Sequence, residues 1–340
     1  MDALSEKLST ITLSGDSSIL DVSRRQVKLV YVDVLNFSGT FFKRGNHWSF
    51  KSAQKKVNAF VQYAKNSDLK LKIFIDAFAE SDEAIMKWKH RREVEVRKGE
   101  RNMPQSMNVL LGDMFRSCGV EVCYSSEADN DDTLASHAHH DGACVLSQDR
   151  DFLRYKGRTY YIYTDAKMDY KCKRLRLIPR RDMVCHSSRR EIISPPPATK
   201  PKDPGFVSLP DYLRGTPSPL THHFTNVHIT VRPLRQAYYA HLAIESNVCE
   251  EFPVYSDSEP TKVRWDVSSV PKDATLLHLL KDPKNAYKHF FGDMTRPEGV
   301  SSKDWSNHVY ATYAVVLELC SLYMGTPLYN LLVKHAAQPA

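Results

Sequence analysis

Six acidic residues in this sequence are placed to do chemistry together: Asp33, Asp76, Glu127, Asp129, Asp149 and Asp151. Each follows, at once or within a few residues, one of four short apolar runs: Lys28–Val32, Leu71–Ile75, Val120–Tyr124 and Ala143–Leu146. Carboxylates held close together repel and raise one another's pKa, so such a cluster is costly unless cations neutralise it. Mg²⁺ prefers carboxylate and water oxygens and keeps part of its hydration shell. Two such ions about 4 Å apart can activate an attacking water and stabilise a leaving oxygen. The chemistry this set suits is phosphodiester hydrolysis with two ions of Mg²⁺ or Mn²⁺.

Basic segments enclose the acidic one. Lys87–Arg101 contains Lys87, Lys89, Arg91, Arg92 and Arg97, and Lys171–Arg190 opens with Lys171, Lys173 and Arg174, while Glu127–Asp132 lies between them. Carboxylates to hold cations, flanked by Lys and Arg to hold a polyanion, is the order that a site acting on nucleic acid needs. A solvated charged face explains any one segment alone, and explains their joint order less well. Simpler roles compete at single positions. Asp131 and Asp132 could cap the helix that follows them. Asp82 and Glu83 read as a first helical turn, and Asp33 alone could be structural. His137, His139 and His140 lack cysteine partners and read as a partly exposed helix face rather than a zinc site.

To bring these residues together the chain must fold so that the ends of the runs meet. The apolar runs alternate with helical patterns: Ala53, Val57, Phe60, Val61 and Ala64; the highly charged Asp82–Lys98; Met107, Leu110, Leu111, Met114, Phe115 and Cys118, stopped at Gly119; and Asp131–His139. Strand–helix alternation predicts an α/β fold, a parallel sheet flanked by helices, with the functional crevice beyond the carboxyl ends of its strands. The charged helix has no clean apolar stripe and is expected to stay unburied, against phosphate. Tyr160–Tyr163 and Leu175–Ile178 read as further strands separated by a basic loop.

Residues 1–26 are Ser/Thr-rich and polar, and are expected to be disordered. The α/β domain spans 27–190, and a Pro-rich linker or loop covers 191–219, with Pro195-Pro-Pro197 near its start. Residues 220–335 read as mainly helical, with stripes at Leu276, Leu277, Leu279 and Leu280, then a break at Pro283, and at Val309, Tyr313, Val316, Leu317 and Cys320. Isolated amphipathic helices are marginal in water, so these stripes are expected to pack on the first domain.

The apolar fraction is 42% and the charged fraction 26%, ordinary for a globular protein. No run approaches the length a membrane-crossing helix needs, so no membrane partner is expected. Seven widely spaced cysteines without a CxxC pair argue against a disulfide framework or zinc ribbon and suit a reducing, intracellular compartment. The net charge of +7 is compatible with nucleic acid and is weak evidence alone.

Asp33 in VYVDVLNF, Asp76 in KIFIDAF, the helix KWKHRREVEVRK, then Glu127-Ala-Asp129 and SQDRDF resemble the successive motifs of the flap-endonuclease and XPG superfamily. That superfamily is a branch of the PIN-like nucleases, and EADNDDTLA ahead of VLSQDRDF is most similar to its Asteroid type. Val231–Tyr239 and Lys262–Trp265 are similar to a segment downstream of the Asteroid nuclease core. The resemblance implies a PIN-like sheet with metal ligation by Asp33, Asp76, Glu127, Asp129, Asp149 and Asp151, with Asp132 as an additional candidate. It implies that Asp33 and Asp76 are catalytic, and that Lys87 and Arg91 act on the scissile phosphate. The family's spacing would place Glu83 and His90 there, with Lys87 and Arg91 one turn away. Lys89, Arg92, Arg97, Lys171, Lys173 and Arg174 are the further nucleic-acid contacts.

The sequence departs from the family in its extra N-terminal segment. It also lacks a helix–two-turn–helix segment after the last acidic motif, which leaves the substrate open. The expected activity is an endonuclease on single-stranded or branched DNA, DNA being favoured over RNA and the nucleus over the cytoplasm. A PIN- or NYN-type endoribonuclease and a catalytically inactive scaffold binding nucleic acid or protein are the alternatives.

Overall fold

Val30, Tyr31 and Val32 are buried on alternating faces, as a strand covered on both sides requires. They form β1 (Leu29–Asp33), the centre of the sheet. The computed structural model describes residues 28–42, 50–76, 82–98, 107–125, 129–180, 190–191, 213, 223–244, 247–255 and 263–335. Glu127, residues 1–26 and the Pro-rich segment apart from residues 191 and 213 lie outside the described residues.

A 3-10 turn (Val34–Phe37) and the short α1 (Ser38–Phe41) follow β1. Then come α2 (Phe50–Asn66), β2 (Lys70–Asp76), α3 (Asp82–Lys98), α4 (Met107–Ser117) and β3 (Glu121–Ser125). After these α5 (Asn130–Asp141), β4 (Cys144–Leu146), the two-residue β5 (Tyr155–Lys156), β6 (Ile162–Asp169), β7 (Arg174–Pro179) and β8 (Arg190–Glu191) complete this half, β8 pairing only with β5. The apolar stripes behave as their spacing predicts. Ala53, Val57, Phe60, Val61 and Ala64 of α2 and Leu111, Met114 and Phe115 of α4 pack on one face of the sheet, while Leu134, Ala135 and Ala138 of α5 pack on the other. Gly112 lets α4 approach β3 closely, because a Cβ there would lie 2.0 Å from the Tyr124 hydroxyl. Gly119, at φ +75°, ends α4 in a left-handed conformation that side chains avoid.

The strand order is β3-β2-β1-β4-β6-β7. From β1 the chain steps outward to β2 and β3, then returns to the other side of β1 as β4. The order therefore reverses between β1 and β4, and a crevice opens at the carboxyl ends of strands at such a point. The register keeps those ends level, since Val32 lies opposite Ile73 on one side and Leu146 on the other. The sheet departs from the expected parallel pattern at β7, which runs antiparallel to β6. Only Tyr170–Lys173 joins the two, far too short for a parallel crossover.

Residues 223–335 contain α6 (Val227–Thr230), α7 (Arg232–His241), β9 (Val248–Tyr255), β10 (Val263–Val270), a 3-10 helix (Ala274–Lys281), α8 (Pro283–Phe291), α9 (Ser302–Met324) and α10 (Leu328–His335). Helices make up most of the described part of this region, and the hairpin β9–β10 is an addition that its sequence does not announce. It was hidden because inward positions carry Glu250 while Val267 points outward, 58% exposed, which erases the period-2 pattern. Glu250 is buried because Arg235 meets it bidentately at 2.6 and 2.7 Å, Tyr239 donates to it at 2.7 Å and Arg232 at 3.0 Å. Pro283 opens a helix rather than breaking one, with the Asp282 side chain capping Lys284 and Asn285.

The two halves share apolar surface. Leu110 of α4 belongs to the cluster of Leu328, Leu331 and Leu332, and the Tyr329 hydroxyl donates to Gln54 at 2.8 Å. A chain cut between Pro195 and Pro204 should therefore elute from gel filtration as one particle. Separate elution of a folded C-terminal half would show that the shared surface does not hold them.

Candidate metal centre

The carboxyl end of β1 delivers Asp33 to the rim, 5% exposed. Its carboxylate accepts from Ser147 Oγ at 2.9 Å and from Asn36 Nδ2. Ser147, buried just past β4, also accepts from the Asp149 backbone N–H at 3.1 Å, so one hydroxyl ties the end of β1 to the loop beyond β4. Asp149 Oδ1 in turn accepts the Asp151 N–H at 2.9 Å. Arg180 fixes that loop from outside, donating to the carbonyls of Asp149 (2.7 Å) and Gln148 (3.0 Å).

The third group arrives from α5. Asp129 is its N-cap, accepting the Asp131 N–H at 3.0 Å, and this turns the Asp131 side chain toward the loop after β4. Asp131, Asp149 and Asp151 each offer a carboxylate oxygen, and these atoms lie within 4.8 Å of one another. An all-oxygen donor set of three carboxylates suits a hard divalent cation such as Mg²⁺ or Mn²⁺, not a thiolate- or imidazole-seeking metal.

Crowding is visible in the protonation behaviour. Burial, then the charges of Asp33, Asp129 and Asp149, pushes Asp131 up to about 8. Burial pushes Asp33 up to about 6 despite the hydrogen bonds from Ser147 and Asn36. Asp76, at the end of β2, is pushed up to about 6 by desolvation and Asp129, against the nearby Arg91. Asp33, Asp76, Asp129, Asp149 and Asp151 are thus gathered at one rim, with Asp131 added. Asp131 had read as a helix cap; the capping residue is Asp129, two positions earlier. The cluster EADNDD carried the signal, but only the backbone at Asp129 decides which of its members turns inward.

Other candidates lie elsewhere. Asp132 is not in the three-carboxylate group; it accepts from Arg154 (3.2 Å) and the Tyr155 hydroxyl, and the same guanidinium reaches Asp151 at 3.0 Å. Glu127 lies outside the described residues. Lys87 and Arg91 are exposed, Lys87 paired with Glu83 at 3.0 Å. Such an exposed pair is worth about 0.5 kcal/mol or less and yields readily to a phosphate. Arg97 is exposed as well. Two expected phosphate contacts are corrected. Arg92 is buried and pairs with Glu95, and Lys89 is engaged by Glu251 and Trp265. The helix is therefore not wholly solvated, because one of its faces has the β9–β10 hairpin as a partner.

Lys171, Lys173 and Arg174 sit away from the rim. Their turn lies against the C-terminal end of α2, where Asn66 donates to the Lys173 carbonyl and Leu175 N–H to Ser67 Oγ. The 17-residue α2 returns the chain from the rim to the start of β2, a separation of about 25 Å. No described helix is long and apolar enough to cross a membrane.

Asp131, Asp33 and Asp76 all have folded-state pKa values above those of the unfolded chain. Stability from these groups is present below about pH 4 and is lost as pH rises through 6 to 8. In EDTA the melting temperature should fall between pH 5.5 and 8.5 (approximate bounds), and millimolar Mn²⁺ at the upper pH should restore it. Asp131→Asn should flatten both responses. A metal-free pH profile identical in the variant would remove Asp131 from the crowded set. The chain matches no protein-family model and no curated protein.

Proposed function

We propose that this chain is a divalent-metal-dependent endonuclease of the PIN-like kind, similar to the Asteroid branch of the flap-endonuclease and XPG superfamily, hydrolysing phosphodiester bonds in single-stranded or branched DNA. The observation that carries the reading is the meeting of Asp131, Asp149 and Asp151 within 4.8 Å at the point where the strand order reverses, with Asp33 and Asp76 beside them. Few structural needs explain that many carboxylates drawn from three strand ends, and their mutual repulsion costs stability unless a cation relieves it.

Asp131, Asp149 and Asp151 would hold the cation, and Asp33 and Asp76 would serve a second. Bound there, Mg²⁺ or Mn²⁺ would polarise the scissile phosphate and lower the pKa of the attacking water. The chain's own part is positional. Ser147 and Asn36 hold Asp33, Arg180 holds the loop bearing Asp149, and the N-terminus of α5 presents Asp131. Arg91 and Lys87 supply positive charge on the side of Asp76, where a phosphate backbone would meet it. The rim is open, with Asp151, Lys87 and Arg91 all exposed, which suits a polymer lying across it.

The reading is tested by cleavage assays on 5′-flap, 3′-overhang and hairpin DNA and on single-stranded RNA, with and without Mn²⁺. Wild-type chain should cut DNA only with the metal. Asp149→Asn, with a melting temperature in EDTA no lower than wild type, should cut at least about a hundredfold more slowly. Cutting of RNA alone would favour the ribonuclease alternative. Metal binding with no cleavage of any substrate would leave a binding scaffold.

A further inference from the structure

We infer that the β9–β10 hairpin positions α3 at the acidic rim, with Trp265 as the positioning residue through which the C-terminal half controls how Arg91 and Lys87 are presented. The inference rests on the nuclease reading only for the identity of the anion those two cations meet.

α3 cannot hold itself in place by apolar burial. Eleven of its seventeen residues are polar or charged, and Val96 is its one fully buried apolar side chain among those described. Of the described helices and strands, β9 and β10 meet it most extensively. The face that meets them carries Trp88, Lys89, Arg92, Glu93 and Val96, spaced as one side of a helix. Four contacts from the hairpin fix that face. Trp265 Nε1 donates to Glu93 Oε1 at 3.0 Å, and its ring lies 5.5 Å from that of Trp88. Lys89 Nζ reaches Glu251 Oε2 at 2.6 Å and stands 5.2 Å from the centre of the Trp265 ring. Trp265 takes part in every one of these contacts except the Lys89–Glu251 pair.

With that face seated, the neighbouring face is left exposed, and it carries Lys87 and Arg91 one turn apart. α3 begins six residues after Asp76 ends β2, so this face belongs to the helix that follows the Asp76 strand end directly in the chain. The hairpin itself is anchored below, because Glu250 and Asp266 hold Arg232, and Glu250 holds Arg235 of α7. A continuous set of contacts therefore runs from α7 through the hairpin and α3 to the mouth of the acidic site. Among the described residues the C-terminal half contributes no carboxylate to that site, yet it sets where the cations stand.

The full chain with Trp265→Ala and Trp265→Phe is compared with wild type by amide hydrogen exchange and by anisotropy of a labelled single-stranded DNA in Ca²⁺ at several salt concentrations. In Trp265→Ala, exchange across Asp82–Arg97 should rise about tenfold or more while β1, β2 and β4 stay protected. DNA affinity should fall about three- to tenfold, with the salt slope reduced by about one unit. Trp265→Phe keeps the ring contact and should recover most of both. Unchanged exchange in α3 and an unchanged salt slope in folded Trp265→Ala would overturn the inference. Should that variant not fold, Glu251→Gln removes the Lys89 partner; raised α3 exchange supports the inference and none overturns it. If α3 loosens in Trp265→Ala while wild-type chain binds no DNA, the hairpin's hold on α3 stands and the nuclease reading fails.

Discussion

Repulsion among carboxylates is the constraint around which this structure is arranged. Asp33, Asp76, Asp129, Asp131, Asp149 and Asp151 meet at one rim, with Arg91 on one margin and Arg154 on the other. Local donors offset part of the cost. Ser147 and Asn36 serve Asp33, the Asp131 N–H serves Asp129, and the Asp151 N–H serves Asp149. The N-terminus of α5 adds a favourable dipole for Asp131 and Asp132 in its first turn. What these donors leave uncompensated raises the affinity of Asp33, Asp76 and Asp131 for protons, and the same surplus charge is what a divalent cation would neutralise. The parallel sheet makes the arrangement possible, since only level strand ends bring residues more than a hundred positions apart to one point.

A second electrostatic arrangement, of opposite character, holds the C-terminal half. Arg235 and Glu250 are both fully or almost fully buried, and their bond is completed by Tyr239, Arg232 and the His228 carbonyl. A buried pair of this kind contributes little net stability when whole, but losing one partner is expensive, about 3–5 kcal/mol. It fixes the hairpin's position on α7 more than it strengthens the fold. That specificity matters because the hairpin's outer surface seats α3. The charged helix is thus shared: its hairpin-facing side belongs to the C-terminal half and its cationic side to the rim.

The sheet and its acidic ends were legible in the sequence because four apolar runs, bounded by turn residues and followed by carboxylates, leave few alternatives. Helices α2 and α4 were legible for the same reason, having stripes at helical spacing. The finer assignments were not. Whether Asp129, Asp131 or Asp132 caps α5 depends on one residue's backbone angles, and a shift of one position rotates a helical side chain by about 100°. Arg92 and Lys89 read like Arg91 because their partners Glu95, Glu251 and Trp265 are revealed only by folding, the last two from beyond the Pro-rich segment. The hairpin escaped because an inward Glu250 and an outward Val267 invert the usual pattern. Lys171, Lys173 and Arg174 are near the acidic motifs in sequence, but the turn between β6 and β7 sets them against the far end of α2.

A divalent-metal site at this rim would be built from Asp131, Asp149 and Asp151. The most direct measurement is anomalous diffraction at the manganese edge from crystals of the full chain grown in Mn²⁺. A strong peak is expected among those three carboxylates, with any second peak toward Asp33 and Asp76. A featureless rim, or manganese bound instead at His137, His139 and His140, would contradict it.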